Sequence, residues 1–140
     1  MTQRPVAPRI ERIDHVSIRV TDWEQSLRFY GDVLGLECTI DARLPDGRRL
    51  VRFAGGEGSE IELISRDLAP GPTGGSIAHI ALAVRDVEQA LQAIEIEGFA
   101  ATRSSTKLDI EGLRATIAFF AGPNGESFEL ICAARPQDDP

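Results

Sequence analysis

The only two histidines of the chain, His15 and His79, stand in matching strings 64 residues apart. Each is followed at the same distances by a valine, an aspartate, a glutamate, a glutamine and a leucine. Glu62 and Glu129 likewise begin two matching Glu-Leu-Ile strings further along. Because the two matches occur in the same order, the chain contains an internal repeat, and these four residues occupy equivalent places in its halves.

Two imidazoles and two carboxylates would make a metal site if they converged. This ligand mixture suits Zn, Ni, Mn, Fe or Co, whereas Ca and Mg prefer oxygen ligands alone. Taken singly, a histidine or a glutamate on a strand is usually a structural or a solvated residue. Burying an unpaired carboxylate costs free energy, so a glutamate inside an apolar strand faces either solvent or a lined cavity. Their matched positions favour one shared site made of His15, Glu62, His79 and Glu129.

The elements that must position these residues have the same order in both halves: a strand, a helix and three strands. Alternation of apolar and polar residues predicts the strands, and aspartate caps followed by helical spacing predict the helices. In the first half we predict strands over 13–20, 36–43, 48–54 and 59–65, with a helix from Thr21 or Asp22 to Gly35. In the second half we predict strands over 77–84, 99–104, 113–121 and 127–133, with a helix from Asp86 to Gly98.

The length of 140 residues corresponds to one domain, 1–140. Within it we predict a first βαβββ module, a linker without periodicity, a second βαβββ module and two polar tails. Their ranges are 10–65, 66–76, 77–133, and 1–9 with 134–140.

Composition excludes several classes of protein. With 15 basic and 22 acidic residues the net charge is −7, which argues against a protein that binds nucleic-acid phosphates. No apolar run approaches the roughly 20 residues of a membrane span, and the first nine residues contain no signal-peptide core. We therefore expect a cytoplasmic protein. Cys38 and Cys132 lie in apolar runs and are predicted to be small buried residues rather than a disulfide.

Several strings resemble the vicinal oxygen chelate superfamily, which has the glyoxalase/bleomycin resistance/dioxygenase fold. Residues 15–22, with SLRFY at 26–30 and VLGL at 33–36, are similar to its first module. Residues 75–86, with GPNG at 122–125 and FEL at 128–130, are similar to its second, so the resemblance spans about residues 11 to 133. It implies an α+β fold in which two βαβββ modules form a curved mixed sheet around a cleft. It also implies one divalent metal ion and, usually, a homodimer.

The order of the four residues resembles that of bacterial glyoxalase I, or lactoylglutathione lyase. That enzyme isomerises the hemithioacetal of methylglyoxal and glutathione through a metal-bound enediolate. The resemblance implies that His15, Glu62, His79 and Glu129 bind the metal, with Ni or Zn expected and Mn, Co or Fe possible. It further implies that Glu129, or Glu62 on the other side, shuttles the proton of a small-molecule substrate. Arg19 matches an arginine that holds a glutathione carboxylate.

Departures from the glyoxalase pattern leave two other functions open. Arg66 stands where glyoxalases usually have an asparagine, and residues 107–112 do not clearly reproduce the lysine region that contacts glutathione. A methylmalonyl-CoA epimerase-like enzyme would use the same metal and enolate chemistry, but it usually has glutamine where Glu62 stands. A small-molecule binding protein of the bleomycin-resistance kind would generally lack the ligand set. Extradiol dioxygenases and fosfomycin-modifying enzymes use three ligands in another distribution and are disfavoured.

Overall fold

The computed structural model describes residues 8–55, 58–65, 76–122 and 127–134, and within them both halves fold as a strand, a helix and three strands. The elements of the first half are β1 (Arg12–Val20), α1 (Trp23–Leu27), β2 (Glu37–Arg43), β3 (Arg49–Ala54) and β4 (Glu60–Ser65). A π-helical segment, Arg28–Val33, continues α1. The elements of the second half are β5 (Ile77–Ala83), α2 (Val87–Ile96), β6 (Ala101–Ile110), β7 (Leu113–Ala121) and β8 (Ser127–Ala133).

All eight strands form one mixed sheet in the order β2-β3-β4-β1-β5-β8-β7-β6. The first and last strands of each half pair in parallel, β1 with β4 and β5 with β8. The halves join where β1 pairs with β5 antiparallel. The two strands that carry the histidines and the two that carry the glutamates are therefore the four central strands of the sheet.

Both helices begin at an aspartate cap and pack on one face of the sheet. The Asp22 and Asp86 carboxylates accept hydrogen bonds from the backbone N–H groups of Gln25 and Gln89, which satisfies a free donor at each helix start. Under α1 lies a buried cluster of Val20, Val51, Phe53 and Leu63. A second cluster lies between α2 and the sheet; α2 contributes Val87, Ala90 and Leu91, and the other members are Val84, Ala118, Phe120 and Leu130.

A third apolar cluster draws the two edges of the sheet together. Ile40 of β2 and Leu44, just beyond it, pack against a cluster that includes Ile110 and Leu113 at the β6–β7 turn. Gly112 in this turn has φ of 85°, and a Cβ at this position would lie 3.5 Å from Ile40. The sheet is consequently curled into a half-barrel around a cleft. This confirms the predicted α+β fold.

Two local predictions were wrong. The strand predicted over 99–104 corresponds to β6, which extends to Ile110. Two register shifts against β7 interrupt the alternation of its side chains, so the sequence pattern did not indicate its full length. Cys38 is exposed rather than buried, since it lies on the edge strand β2, and Cys132 is half-buried; both are free thiols. Residues 1–7, 66–75 (with Arg66) and 135–140, which include most of the predicted linker and tails, lie outside the described residues.

Within the described ranges, no helix has the length and apolar character needed to cross a membrane.

Candidate metal centre

The four residues singled out by the repeat meet on the concave side of the sheet. His15 and His79 lie on the paired central strands β1 and β5, where the register sets Ser17 against His79 and Ala81 against His15. Their side chains point at one another, with the two Nε2 atoms 3.2 Å apart. The single chain thus brings together both histidines of the repeat.

Both glutamates approach this pair of nitrogen atoms. A carboxylate oxygen of Glu62 lies 3.4 Å from His15 Nε2 and the other lies 3.8 Å from His79 Nε2. Glu129 Oε1 lies 3.3 Å from His15 Nε2 and 3.7 Å from His79 Nε2. His15, Glu62 and Glu129 are at most 5% exposed, so this polar cluster lies away from bulk water.

One oxygen of the cluster has no hydrogen-bond partner in the part of the chain that the structure describes, and it is Glu129 Oε1. A buried, unpartnered carboxylate oxygen is costly unless a further group pairs with it. By contrast, both oxygens of Glu62 accept hydrogen bonds, one from Ser17 Oγ and one from Arg52 Nε. The cluster is therefore incomplete on the Glu129 side.

A divalent cation fits this arrangement. Ligand atoms of His15, His79 and Glu129 all lie within 4.8 Å of one another, and the Glu62 carboxylate adjoins them. Two neutral imidazole nitrogens with carboxylate oxygens suit Zn, Ni, Mn, Fe or Co. Such an ion would also supply the partner that Glu129 Oε1 lacks.

Asp14 holds the His15 ring in one orientation through Nδ1, the ring nitrogen that does not face His79. Its Oδ2 accepts a hydrogen bond of 2.7 Å from His15 Nδ1. Because a carboxylate only accepts, the Nδ1 position must carry the proton, which leaves Nε2 as the ligand atom of neutral His15. Neighbouring residues on a regular strand point to opposite faces, but a register shift between Ile13 and His15 brings Asp14 and His15 together.

The charges around the two histidines separate their pKa values. Burial opposes protonation of His15, but the hydrogen bond to Asp14 and the carboxylates of Glu129 and Glu62 raise its pKa to about 9. Burial lowers the pKa of His79, and the positive charges of His15 and Arg52 act in the same direction. For Glu62, burial opposes ionisation, yet His15 and Arg52 hold its pKa below the usual range. Without metal, His15 is thus the protonated histidine and His79 the neutral one.

This difference predicts that metal binding displaces a proton from His15. The pKa of His15 in the metal-free protein is about 9, so at pH 7 the imidazole is protonated and must lose its proton to act as a ligand. Apparent Zn²⁺ affinity should therefore rise about tenfold per pH unit between pH 6.5 and 8.5 and level off above pH 9. Calorimetry in buffers of different ionisation enthalpy should detect about one proton released near pH 7.5. A pH-independent affinity would contradict this assignment.

Asp14→Asn tests the orienting contact. We expect Zn²⁺ affinity to fall about ten- to a hundredfold, because groups that hydrogen-bond a metal-binding histidine typically contribute this much. Competition with a chromophoric chelator measures the change. Asp109→Asn is the matched control, since Asp109 is exposed and pairs with Arg114 on the surface. Equal affinities for the Asp14 variant and the control would contradict the orienting role.

The cluster forms the floor of a cavity of about 280 Å³. His79, Glu62 and Glu129 line it, and the rings of His79 and Phe119 pack in a T-shaped arrangement with their centroids 5.4 Å apart. Four cationic side chains also line it although the protein is acidic as a whole: Arg48, Arg52, Arg103 and Lys107. The cavity is therefore suited to a small molecule that carries negative charge.

A match to a protein-family model shows to which superfamily the chain belongs. The model described as Glyoxalase/Bleomycin resistance protein/Dioxygenase superfamily matches residues 12–130. The chain belongs to this superfamily. Lactoylglutathione lyase of Haemophilus influenzae is 30% identical over 125 residues, which cover 86% of this chain and 91% of that protein. A probable lactoylglutathione lyase of Synechocystis is 31% identical over 129 residues, covering 89% and 97%.

Solved structures of other proteins have the same fold. A hypothetical protein of Bacillus halodurans aligns with a TM-score of 0.73 at 26% identity, covering 86% of this chain and 92% of its own. Methylmalonyl-CoA epimerase of Mycobacterium tuberculosis aligns with a TM-score of 0.77 at 22% identity, covering 94% and 93%. At this identity the second likeness establishes the shared fold alone.

Arg19, the predicted substrate contact, lies beside the four-residue cluster rather than within it. Its Nη1 donates a hydrogen bond of 2.8 Å to the Ile77 carbonyl oxygen. It lines a second, smaller cavity of about 190 Å³ together with Arg48 and His79. The structure therefore places Arg19 in a cavity that adjoins the candidate site of this superfamily member.

Sequence reasoning missed two residues of this glyoxalase-superfamily site, Asp14 and Arg52. Asp14 has the signal of standing next to His15, but alternation placed it on the opposite face. Arg52 lies opposite Glu62 in the β3–β4 register and is 4% exposed. In the β3–β4 hairpin Arg52 lies opposite Glu62, and in the β7–β8 hairpin Phe119 lies opposite Glu129. An alignment of these two hairpins would have shown that Arg52 and Phe119 occupy equivalent positions.

Proposed function

We propose that the protein is a metal-dependent lyase or isomerase of the glyoxalase I type. Its substrate would be the hemithioacetal of a 2-oxoaldehyde and a thiol. The observation that carries this proposal is the unpartnered buried oxygen of Glu129 beside the facing nitrogens of His15 and His79, at the floor of a cavity. Relatives named lactoylglutathione lyase, which match nearly their whole length, support the choice of reaction.

The proposed metal ligands are His15, Glu62, His79 and Glu129, with Ni or Zn as the expected ion. A bound divalent ion would act as a Lewis acid for negative charge that develops on two neighbouring substrate oxygens. The protein side contributes a buried cluster in which these charges are weakly screened, and His15 is held in one orientation by Asp14.

We assign the proton transfer to Glu129, whose carboxylate would leave the ion in order to act as the base. Its carboxylate takes the proton from the hemithioacetal carbon, and the electron pair of the broken C–H bond moves toward the neighbouring carbonyl carbon and oxygen, giving an enediolate of the substrate. The same carboxylate then gives the proton to the neighbouring carbon, and the hydroxyl proton of the first carbon passes to the oxygen of the second. The first carbon becomes the thioester carbonyl and the second carries the new hydroxyl, so no atom is gained or lost. The carboxylate is buried beside Phe119 and lines the cavity, so it would contact a bound substrate with little competition from water.

The basic lining of the cavity defines the substrate class. A thiol adduct with carboxylate groups would be attracted by Arg48, Arg103 and Lys107, and Arg19 lies in the adjoining cavity. Arginine binds a carboxylate through two parallel hydrogen bonds, which also fixes its orientation. We propose these groups as the contacts for the anionic part of the substrate.

The test is a direct comparison of two reactions with the Ni²⁺- or Zn²⁺-loaded protein. Methylglyoxal with glutathione should give a thioester whose formation is followed by absorbance. A 2-methylmalonyl thioester in D₂O should show little exchange at its second carbon. Faster exchange of the malonyl thioester would favour an epimerase instead. Ligand binding without either reaction would favour a binding protein.

The homodimer and the cytoplasmic location implied for such an enzyme stay predictions. Three large apolar side chains at the end of the first helix are about half exposed, namely Phe29, Val33 and Leu34. We propose that a second copy covers apolar surface of this kind. Sedimentation velocity should then give a mass of twice 15.2 kDa. A monomer at micromolar concentration would contradict it.

A further inference from the structure

The repeat gives Glu62 and Glu129 equivalent places, but their neighbours differ in kind. Across the strands, Glu62 lies opposite Ser17 on one side and Arg52 on the other. In the second half the corresponding neighbours of Glu129 are Ala81 and Phe119. One carboxylate is thus flanked by hydrogen-bond donors, and the other is flanked by side chains that cannot donate.

The donors hold both oxygens of Glu62. Ser17 Oγ donates to Oε1 at 3.0 Å, and Arg52 Nε donates to Oε2 at 3.0 Å. Each of these three side chains is less than 5% exposed, so water does not compete for the contacts. Charge-assisted hydrogen bonds of this kind are about twice as strong as neutral ones.

Arg52 is itself fixed by a second carboxylate. Its Nη1 lies 3.5 Å from Asp14 Oδ2, and Asp14 also accepts the hydrogen bond from His15. A buried guanidinium between two carboxylates cannot turn away from one of them without leaving a buried charge unpaired. The resulting chain of contacts ties Glu62 to the orientation of His15.

We propose that Arg52 is a positioning residue that immobilises Glu62, so that proton transfer is left to Glu129 alone. This inference rests on the proposed isomerisation. One mobile carboxylate takes the proton from one carbon and returns it to the next on a single face of the substrate. Two mobile carboxylates on the two equivalent sides would protonate the second carbon from both faces. Arg52 therefore determines that the 2-hydroxyacyl product forms as one enantiomer.

The first experiment measures the enantiomeric composition of the 2-hydroxy acid after hydrolysis of the thioester. The native protein should give one enantiomer, and Arg52→Met should give at least about a tenth of the other. The double variant Arg52→Met/Glu62→Gln should return to one enantiomer, because the freed carboxylate has been removed. A single enantiomer from folded, active Arg52→Met would overturn the proposal.

Arg52→Lys keeps the test decisive if Arg52→Met does not fold. A lysine ammonium retains the charge but lacks the planar fork that reaches Glu62 and Asp14 together. We expect an amount of the minor enantiomer between those of the native protein and of Arg52→Met. A product identical to that of the native protein would show that the fork does not hold Glu62.

The second experiment needs no catalytic activity. Zn²⁺ competition titration should show about tenfold tighter binding by Arg52→Met, because a positive charge beside the site is removed and a Glu62 oxygen is freed. This gain should disappear when Glu62→Gln is added. Arg49→Met, on the same strand but paired with Asp41 at the surface, should bind as the native protein does.

The two experiments separate the possible failures. If no form of the protein isomerises a hemithioacetal but the Zn²⁺ titrations show the coupling between Arg52 and Glu62, the proposed function is wrong and the positioning contact stands. If the native protein isomerises the substrate but Arg52→Met changes neither the product nor the affinity, the proposed function stands and the role of Arg52 is overturned.

Discussion

Glu129→Gln should lower kcat for the hemithioacetal by at least about a thousandfold while the protein remains folded. A positioned general base contributes about a hundred- to ten-thousandfold, and the amide of glutamine cannot accept the proton. The change is nearly isosteric, and Glu129 Oε1 has no hydrogen-bond partner within the described residues, so the substitution removes the charge that faces Nε2 of His15 and of His79 but no hydrogen bond of that oxygen. Initial rates at saturating substrate, with circular dichroism to verify folding, measure the effect.

Glu62→Gln is the matched control because the repeat gives it the same place and the substitution is the same. Its carboxylate is held by Ser17 and Arg52 and moves no proton in our account. We expect a loss of about ten- to a hundredfold, of the size seen when groups around a metal are altered. If Glu62→Gln were the more damaging substitution, the roles of the two glutamates would have to be exchanged.

His79→Ala should weaken Zn²⁺ binding by about a hundred- to a thousandfold. A four-ligand zinc site contributes about 10 to 16 kcal/mol in total, so one ligand accounts for roughly a quarter of it. The native protein should be stabilised against thermal unfolding by Zn²⁺, and the variant should lose most of this stabilisation. Differential scanning calorimetry with and without the ion measures both.

Thr106→Ala is the control for the histidine variant, because Thr106 lines the same cavity but donates its hydroxyl to the Ser104 carbonyl. Its response to Zn²⁺ should match that of the native protein. A His79→Ala protein that still gains full stability from the ion would mean that the ion binds elsewhere.

The part of the site that sequence analysis predicted depends on residues whose types recur. His15 and His79 could be matched because histidine is scarce, and Glu62 and Glu129 because each begins the same tripeptide. Period-two alternation then places each of them on one face of its strand. The fold could be predicted for the same reason, since both halves repeat one order of elements.

The residues that were missed depend on pairings between strands, which local pattern does not encode. Asp14 reaches His15 only because β1 is irregular against β5 at that point. In the sequence, Arg52 is one charged residue on an alternating strand. It can be buried in the fold because the carboxylates of Glu62 and Asp14 pair with it. The full length of β6 was hidden in the same way by its two register shifts against β7.

The central claim is that one divalent ion is held by the two histidines with the glutamates of the central strands. The most direct measurement is an anomalous difference map from crystals of the Ni²⁺- or Zn²⁺-loaded protein, recorded at the absorption edge of the metal. We predict one peak per chain, about 2.0 to 2.2 Å from Nε2 of His15, Nε2 of His79 and carboxylate oxygens of Glu129 and Glu62. A map without a peak between these side chains, from crystals grown with saturating metal, would contradict the account.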